Sequence, residues 1–349
     1  MLPLRERPTA PPWLVWAALL VIYVVWGSTY LAIRLVVETM PPLLAASGRF
    51  LTAGLVIGAV LVVRHGPRVV RLTRAEMAGS TFVGVALLLG GNGLVSLGER
   101  DVPSGLAALI IAIVPLWVVM LRMLSAEQVR RGTLVGVVLG ILGVAVLVVP
   151  RGLSGSVATA GMLMLIVSGA CWSIGSYYSR RLALPPDPFV STAAQLILGG
   201  LALGVAGLLA GETGLLQVER FSTAAVVSLA YLVLVGSILA YTAYTWLLQN
   251  APVSKVATYA YVNPVVAIFL GWLVLNEEIS ITMILGGALI VLAVAIVVRT
   301  ESRGGDEVGA LEAPPAQAAI ADEVISAPAP TRPAKAGCRL DASGSPERR

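Results

Sequence analysis

Ten runs of apolar residues, each close to the length that crosses a bilayer, constrain this chain more than anything else in it. They are Trp13–Ile33, Leu43–Val63, Met77–Leu97, Leu106–Leu124, Thr133–Val149, Gly161–Tyr178, Phe189–Leu209, Ala224–Leu247, Val256–Leu275 and Ile279–Val298. A hydrocarbon core of about 30 Å takes about 20 residues at the helical rise of about 1.5 Å. Inside it the backbone finds no water, so each run must satisfy its own N–H and C=O groups, and a helix does so. The expected fold is an all-α integral membrane bundle. Composition agrees, with 57% hydrophobic and 12% charged residues against roughly 25% charged in soluble domains. The net charge of +5 does not mark a nucleic-acid binder, because the basic residues lie between the apolar runs. Lipid is the expected surround.

Orientation follows from the basic residues of the short connections. Twelve fall on one side, from Arg5 and Arg7 through Arg64, Arg74 and Arg131 to Lys255, and four on the other: Arg34, Arg100, Arg151 and Arg220. Ten spans with this bias put both termini in the cytoplasm. The first span follows Arg5 and Arg7 as a signal peptide would, but its run is long and no A-x-A site closes it, so it is expected to stay. Residues 1–12 form a short cytoplasmic N-terminus. Residues 300–349, rich in Ala, Pro, Glu, Gly and Ser without apolar periodicity, are expected to be a disordered cytoplasmic tail.

The spans repeat. At a shift of 146, Trp26 meets Trp172, Arg34 meets Arg180, Pro42 meets Pro188, Gly54 meets Gly200 and Gly58 meets Gly204. At 149, Pro103 meets Pro252, Ala108 meets Ala257 and Pro115 meets Pro264; at 150, Glu127 meets Glu277 and Gly136 meets Gly286. Residues 13–149 and 161–298 therefore read as two copies of five spans. Five is odd, so the second copy enters the membrane from the opposite face. Secondary transporters are built this way, with the substrate site near the midplane between the copies. The small-residue spacings Gly54-x-x-x-Gly58, Gly200-x-x-x-Gly204 and Gly132, Gly136, Gly140 and Gly143 point to close helix packing.

Several chemistries are excluded or unsupported. No Gly-Lys pair occurs, so the chain has no phosphate loop and no ATP drive of its own. Cys171 and Cys338 make neither a disulfide framework nor a metal set, and His65 sits among loop arginines. No acid, base and nucleophile share a span, so no enzyme and no cofactor is expected. None of the 19 Asp and Glu residues falls inside a span. Proton pumps commonly use such carboxylates, which leaves edge residues such as Glu99, Asp101 or Glu277, a uniporter, or a solute exchanger.

Trp26-Gly27-Ser28-Thr29-Tyr30, then Pro41-Pro42 and Arg49-Phe50, resemble the start of an EamA-type permease of the drug/metabolite transporter (DMT) superfamily. Gly91-Asn92-Gly93, Val102-Pro103-Ser104-Gly105-Leu106-Ala107-Ala108 and Pro115-Leu116-Trp117 are closer still to its YedA-like exporters, and Asn263-Pro264-Val265-Val266 with Asn276-Glu277-Glu278 marks the second copy. The resemblance covers residues 13–298. It implies ten helices, a multi-pass protein of the cell inner membrane, and outward movement of small organic metabolites, amino-acid-like or drug-like, without naming the solute or the oligomeric state. Uptake of similar solutes is the alternative, and a lipid-handling or scaffold protein without a solute pathway is the alternative from another class.

Candidate path residues are the polar and aromatic groups near mid-span. Tyr23, Trp26 and Tyr30 share one face of the first helix. Trp172 is the repeat mate of Trp26, and Trp117 lies in the fourth span. Aromatic faces suit amphipathic or cationic solutes; they equally suit bundle packing. Asn92, Gln195 and Asn263 are amides within spans, open to solute contact or to interhelical bonding. Pro115 and Pro264 each free a carbonyl and either break a helix beside a cavity or shape a kink. Trp13, Trp16, Tyr177, Tyr178, Trp246 and Trp272 read as interfacial anchors, and Lys255 as a snorkelling lysine or an anion lure.

Arg49 is the one full charge placed well inside a span, about 9 Å below the start of the second helix. Facing lipid would cost about 2.5–3.5 kcal/mol on insertion scales. It either pairs with Glu38, Glu99 or Asp101 and fastens helices, or faces a cavity and holds a carboxylate with its planar fork. Its repeat mate, Gln195, is polar but uncharged.

Overall fold

The computed structural model describes residues 11–125, 129, 131–152, 157–251, 256 and 258–311. The expectations for residues 1–10, Glu127, Pro252, Lys255, Ala257, Cys338 and the tail beyond residue 311 lie outside these. The described residues are helical over most of each expected apolar run: α1 Pro12–Val37, α2 Pro42–His65, α3 Arg74–Gly98, α4 Ser104–Leu124, α5 Arg131–Gly152, α6 Val157–Ser179, α7 Pro188–Leu209, α8 Thr223–Asn250, α9 Tyr259–Leu275 and α10 Ile281–Leu311. No strand occurs among the described residues. Seven of the helices, α1–α4 and α6–α8, are long and apolar enough to cross a membrane, while α5, α9 and α10 hold apolar stretches of 10–17 residues. Residues to Arg303 form one compact unit, and α10 runs past Thr300 to Leu311.

The helix starts are written in the sequence. Proline opens α1, α2 and α7, where its missing N–H costs nothing. Thr73 and Glu76 form a reciprocal capping box on α3. Asp187 accepts from the Phe189 and Val190 N–H groups, and Ser222 from Ala225 N–H. Two starts are capped from afar. Glu212, in the α7–α8 link, accepts from Leu43 and Leu44 N–H at α2, and Glu277 accepts from Ser104 and Gly105 N–H at α4. A carboxylate there meets the positive end of the helix dipole. At the end of α9, Asn276 takes the left-handed conformation (φ 51°), a usual way to close a helix.

The surface is apolar: Leu20, Leu55, Val60, Leu201, Val227 and Phe269 are exposed. A bundle solvated by lipid has this character.

Contacts recur at the repeat spacing. A Cβ on Gly54 would meet Ile197, and one on Gly200, its mate, would meet Leu51, the mate of Ile197. Likewise Gly136 abuts Val297 while Gly286 abuts Leu147. Arg34 donates to the Glu99 and Arg100 carbonyls at the end of α3, and Arg180 to the Leu248 and Ala251 carbonyls at the end of α8. The glycines differ in use: a Cβ on Gly58 would meet nothing within 4 Å, and Gly132, Gly136 and Gly143 face α10 whereas Gly140 faces Leu116 of α4.

Both third helices of the repeats carry a π-helical stretch, Val85–Gly93 in α3 and Leu232–Leu239 in α8. Such stretches shift the facing of side chains and frequently mark functional sites. Helix α4 is interrupted at Ala112–Ile113 just before Pro115, while Pro264 sits inside an unbroken α9.

Candidate functional site

Between the two repeats lies a cavity with about 610 Å³ of empty space, counting its open part. From the first copy α1 contributes Trp26, Thr29, Tyr30 and Ile33, α2 Arg49 and Phe50, α3 Gly91, Asn92 and Val95, and α4 Ile111. From the second, α6 contributes Ser168 and Trp172, α8 Gly236 and Tyr241, and α9 Tyr259 and Asn263. The π stretches bring Gly91, Asn92 and Gly236 to the wall. The Gly91 carbonyl accepts from the Ser168 hydroxyl at 2.8 Å, and Trp172 lies so close over Gly91 that a Cβ there would come within 2.8 Å of its ring.

Aromatic rings cluster in the cavity wall. Trp26 stands edge-on to Trp172 (5.5 Å) and to Tyr259 (5.4 Å), and its ring centre is 4.8 Å from that of Tyr244. Edge-to-face pairs at this separation are worth about 0.5–1.5 kcal/mol each beyond burial. Hydrogen bonds hold the rings: Tyr244 to the Ser176 hydroxyl (2.8 Å), Tyr241 to the Gln195 side-chain oxygen (2.8 Å), and Tyr23 to the Thr258 hydroxyl. With its amide oriented to suit its neighbours, Asn263 donates to the Tyr259 and Tyr23 carbonyls at 3.2 and 3.1 Å.

Among the described residues, Arg49 supplies the only full charge in the lining. It is 5% exposed, its guanidinium carbon lies 4.5 Å from the Phe50 ring centre, and its Nε donates to the Ser237 hydroxyl at 2.8 Å. None of Glu38, Glu99 and Asp101 pairs with it; Glu38 instead pairs with Arg34 at 3.8 Å. A buried guanidinium held by a hydroxyl keeps donors for an anion.

Of the nine polar, charged and aromatic path candidates named from the sequence, Arg49, Trp26, Tyr30, Asn92, Trp172 and Asn263 line the cavity. Tyr23 braces Thr258 instead. Gln195 is buried behind Tyr241, bonded also to the Ser191 hydroxyl at 2.9 Å. Trp117 packs beside Gly169 of α6, away from the cavity. Trp13, Trp16 and Trp272 face outward as anchors would, whereas Tyr177 is buried with Arg181 stacked 3.8 Å over its ring. Sequence reading missed Ser168, Ser237, Tyr241 and Tyr259. One signal was present for Tyr241, which lies at the repeat shift of 149 from Asn92.

A transporter family model, described as the EamA-like transporter family, matches twice, over residues 12–149 and 159–299. The chain belongs to the EamA-like transporter family. It is thus a multi-pass membrane transporter, not an enzyme, whose partners are a small-molecule solute and lipid. An uncharacterized inner membrane transporter, YedA of Escherichia coli K12, is 36% identical over 297 residues, covering 84% of this chain and 92% of that one. A probable amino-acid metabolite efflux pump of Salmonella typhimurium is 27% identical, over 78% of this chain and 91% of its own. A crystal structure 21% identical in sequence, covering 82% of this chain and 96% of its own, shares the fold with a TM-score of 0.59.

Proposed function

We propose that this EamA-type chain crosses the inner membrane ten times, with both termini in the cytoplasm, and exports small organic solutes bearing a carboxylate. The two five-helix copies would rock about the central cavity to give alternating access. The observation that carries the substrate class is Arg49. It is a buried charge without a carboxylate partner among the described residues, at the wall of a cavity otherwise lined by aromatic, apolar and uncharged polar groups. A carboxylate would find a fork of N–H donors there, and the solute's body would lie against Trp26, Trp172 and Tyr259. Asn92 and Asn263 are placed to read further polar groups on the solute. Inner-membrane location is supported by the name of the Escherichia coli relative, and export of an amino-acid-like solute by that of the Salmonella relative. Without a phosphate loop, the drive is a solute or ion gradient.

The test is a comparison of metabolites inside and outside cells that overproduce the chain and cells that lack it. Export predicts that carboxylated metabolites accumulate outside and fall inside on overproduction. The reverse distribution would make the chain an uptake permease, and no change in any solute would favour a lipid-handling role.

A further inference from the structure

The central cavity meets a second, narrow gap at Ile33 and Arg49. This gap holds about 230 Å³ of empty space and leads between α1, α2, α3 and α8 toward Pro42, past Ala46, Ser96 and Leu229. One turn beyond the cavity residue Val95, and three residues after Ser96 of the gap wall, the chain reaches Glu99. Its carboxyl is 0% exposed, and neither oxygen has a hydrogen-bond partner among the described residues. Arg34 is adjacent but serves other groups: its guanidinium donates to the Glu99 and Arg100 main-chain carbonyls and pairs with Glu38.

An ionised carboxylate so placed would lack both water and counter-ion, a cost of several kcal/mol. A neutral acid avoids most of it. The charged neighbours act in opposite senses. From the α9–α10 link Glu277, itself held by Ser104 and Gly105 N–H at α4, disfavours a second negative charge; from α1 Arg34 favours it. Arg100 and Asp101, adjacent in the chain, are exposed, and Glu38 is half-exposed. Tyr30 of α1, which lines the cavity, stands within the field of Glu99. Helix α6, packed on Gly98 through Gly161 and Leu165, brings no titratable side chain there. Burial and Glu277 outweigh Arg34, and the Glu99 carboxyl is held well above the usual carboxylate range. The repeat mate of Glu99 is Leu248, so the acid belongs to one end of the bundle only.

We propose that Glu99 is a proton-binding site that couples closure of this end of the transporter to pH. Closing the gap seals the acid from water and takes up one proton from that side; opening the gap hydrates the acid and releases the same proton. The inference rests on the transporter reading for its purpose. Its test uses no solute, so failure of a solute search leaves it standing and failure here leaves the solute cavity standing.

The purified full chain carrying Ser96→Cys in the gap is labelled with a maleimide at a series of pH values, alone and together with Glu99→Gln, which mimics the protonated acid. The ratio of the two labelling rates cancels the pH dependence of the thiol itself. Single-proton linkage predicts that the ratio starts near one at low pH and climbs by up to about tenfold per pH unit until Glu99 is ionised in the closed form. A ratio flat across pH overturns the proposal. Infrared spectra of the chain without substitutions give a second readout that holds even if the double variant does not fold. The carbonyl stretch of a protonated carboxylic acid is expected at neutral pH, undiminished in Glu277→Gln and reduced in Glu99→Gln. Absence of that band from the unsubstituted chain, or its full persistence in Glu99→Gln, overturns the assignment.

Discussion

A methyl group added at Gly54 puts the packing of α2 against α7 to a direct test. Its Cβ would lie 2.8 Å from Ile197 Cγ1, 3.0 Å from Ile197 N and 3.0 Å from Leu196 Cβ. Carbon atoms pack at about 3.5–4.0 Å, so the side-chain overlap is half an ångström or more on that scale. Cγ1 can turn aside, but the Ile197 backbone nitrogen moves only if α7 moves. Overpacking of this kind costs about 1–3 kcal/mol, about 5- to 150-fold in the ratio of folded to unfolded protein. Gly200→Ala meets Leu51 at 3.0 Å for Cγ and 3.1 Å for N, and a slightly smaller loss is expected. Gly58→Ala meets nothing within 4 Å and serves as the control. Alanine's better helix propensity, about 1 kcal/mol, is common to all three variants and leaves their differences intact. The assay is heating of the purified protein in detergent, with the folded fraction read by size-exclusion chromatography. Gly58→Ala should match or exceed the unsubstituted chain, with Gly200→Ala and Gly54→Ala progressively weaker. Equal stability of Gly54→Ala and Gly58→Ala would refute the contact between the two copies.

Arg49→Gln should reach the membrane in normal amount and lose most transport of the solute found by metabolite comparison. Truncating one partner of a buried, hydrogen-bonded charge pair costs about 2–5 kcal/mol, so affinity should fall by roughly 30-fold or more. Arg49→Lys should recover only part, since the charge returns without the planar fork, and Gln195→Ala should be milder than Arg49→Gln; normal transport by Arg49→Gln would remove it from the site. Reporter fusions after Arg74 and after Arg151 should report cytoplasmic and outside locations respectively, the reverse pattern refuting the orientation. Truncation after Arg303, where the compact unit ends, should leave transport intact when measured at matched membrane levels.

The sequence by itself determined the helices, their order and their duplication. Apolar runs in lipid have one structural outcome, and matched Trp, Arg, Pro and Gly positions survive in two copies. It also singled out Arg49, because one charge in an apolar run has few tolerable surroundings. Which way each helix turns its faces was decided only by the tertiary structure. In a lipid-solvated bundle the outer face and the packed face are both apolar, so periodicity does not tell them apart. Gly54 and Gly58 read alike in sequence, yet a Cβ on one would strike α7 and a Cβ on the other would meet nothing within 4 Å. The π stretches in α3 and α8 add a residue to a turn and rotate the remainder of each helix by about 100°, a shift no apolar pattern announces. Tyr23 and Tyr30 share a face with Trp26, but Tyr23 is taken up by Thr258 while Tyr30 opens on the cavity. Glu99 sits at a span end by sequence, where water would be expected. Its burial comes from α6 packing on Gly98 and from Arg34 binding the main chain beside it, contacts between segments that only the folded chain brings together.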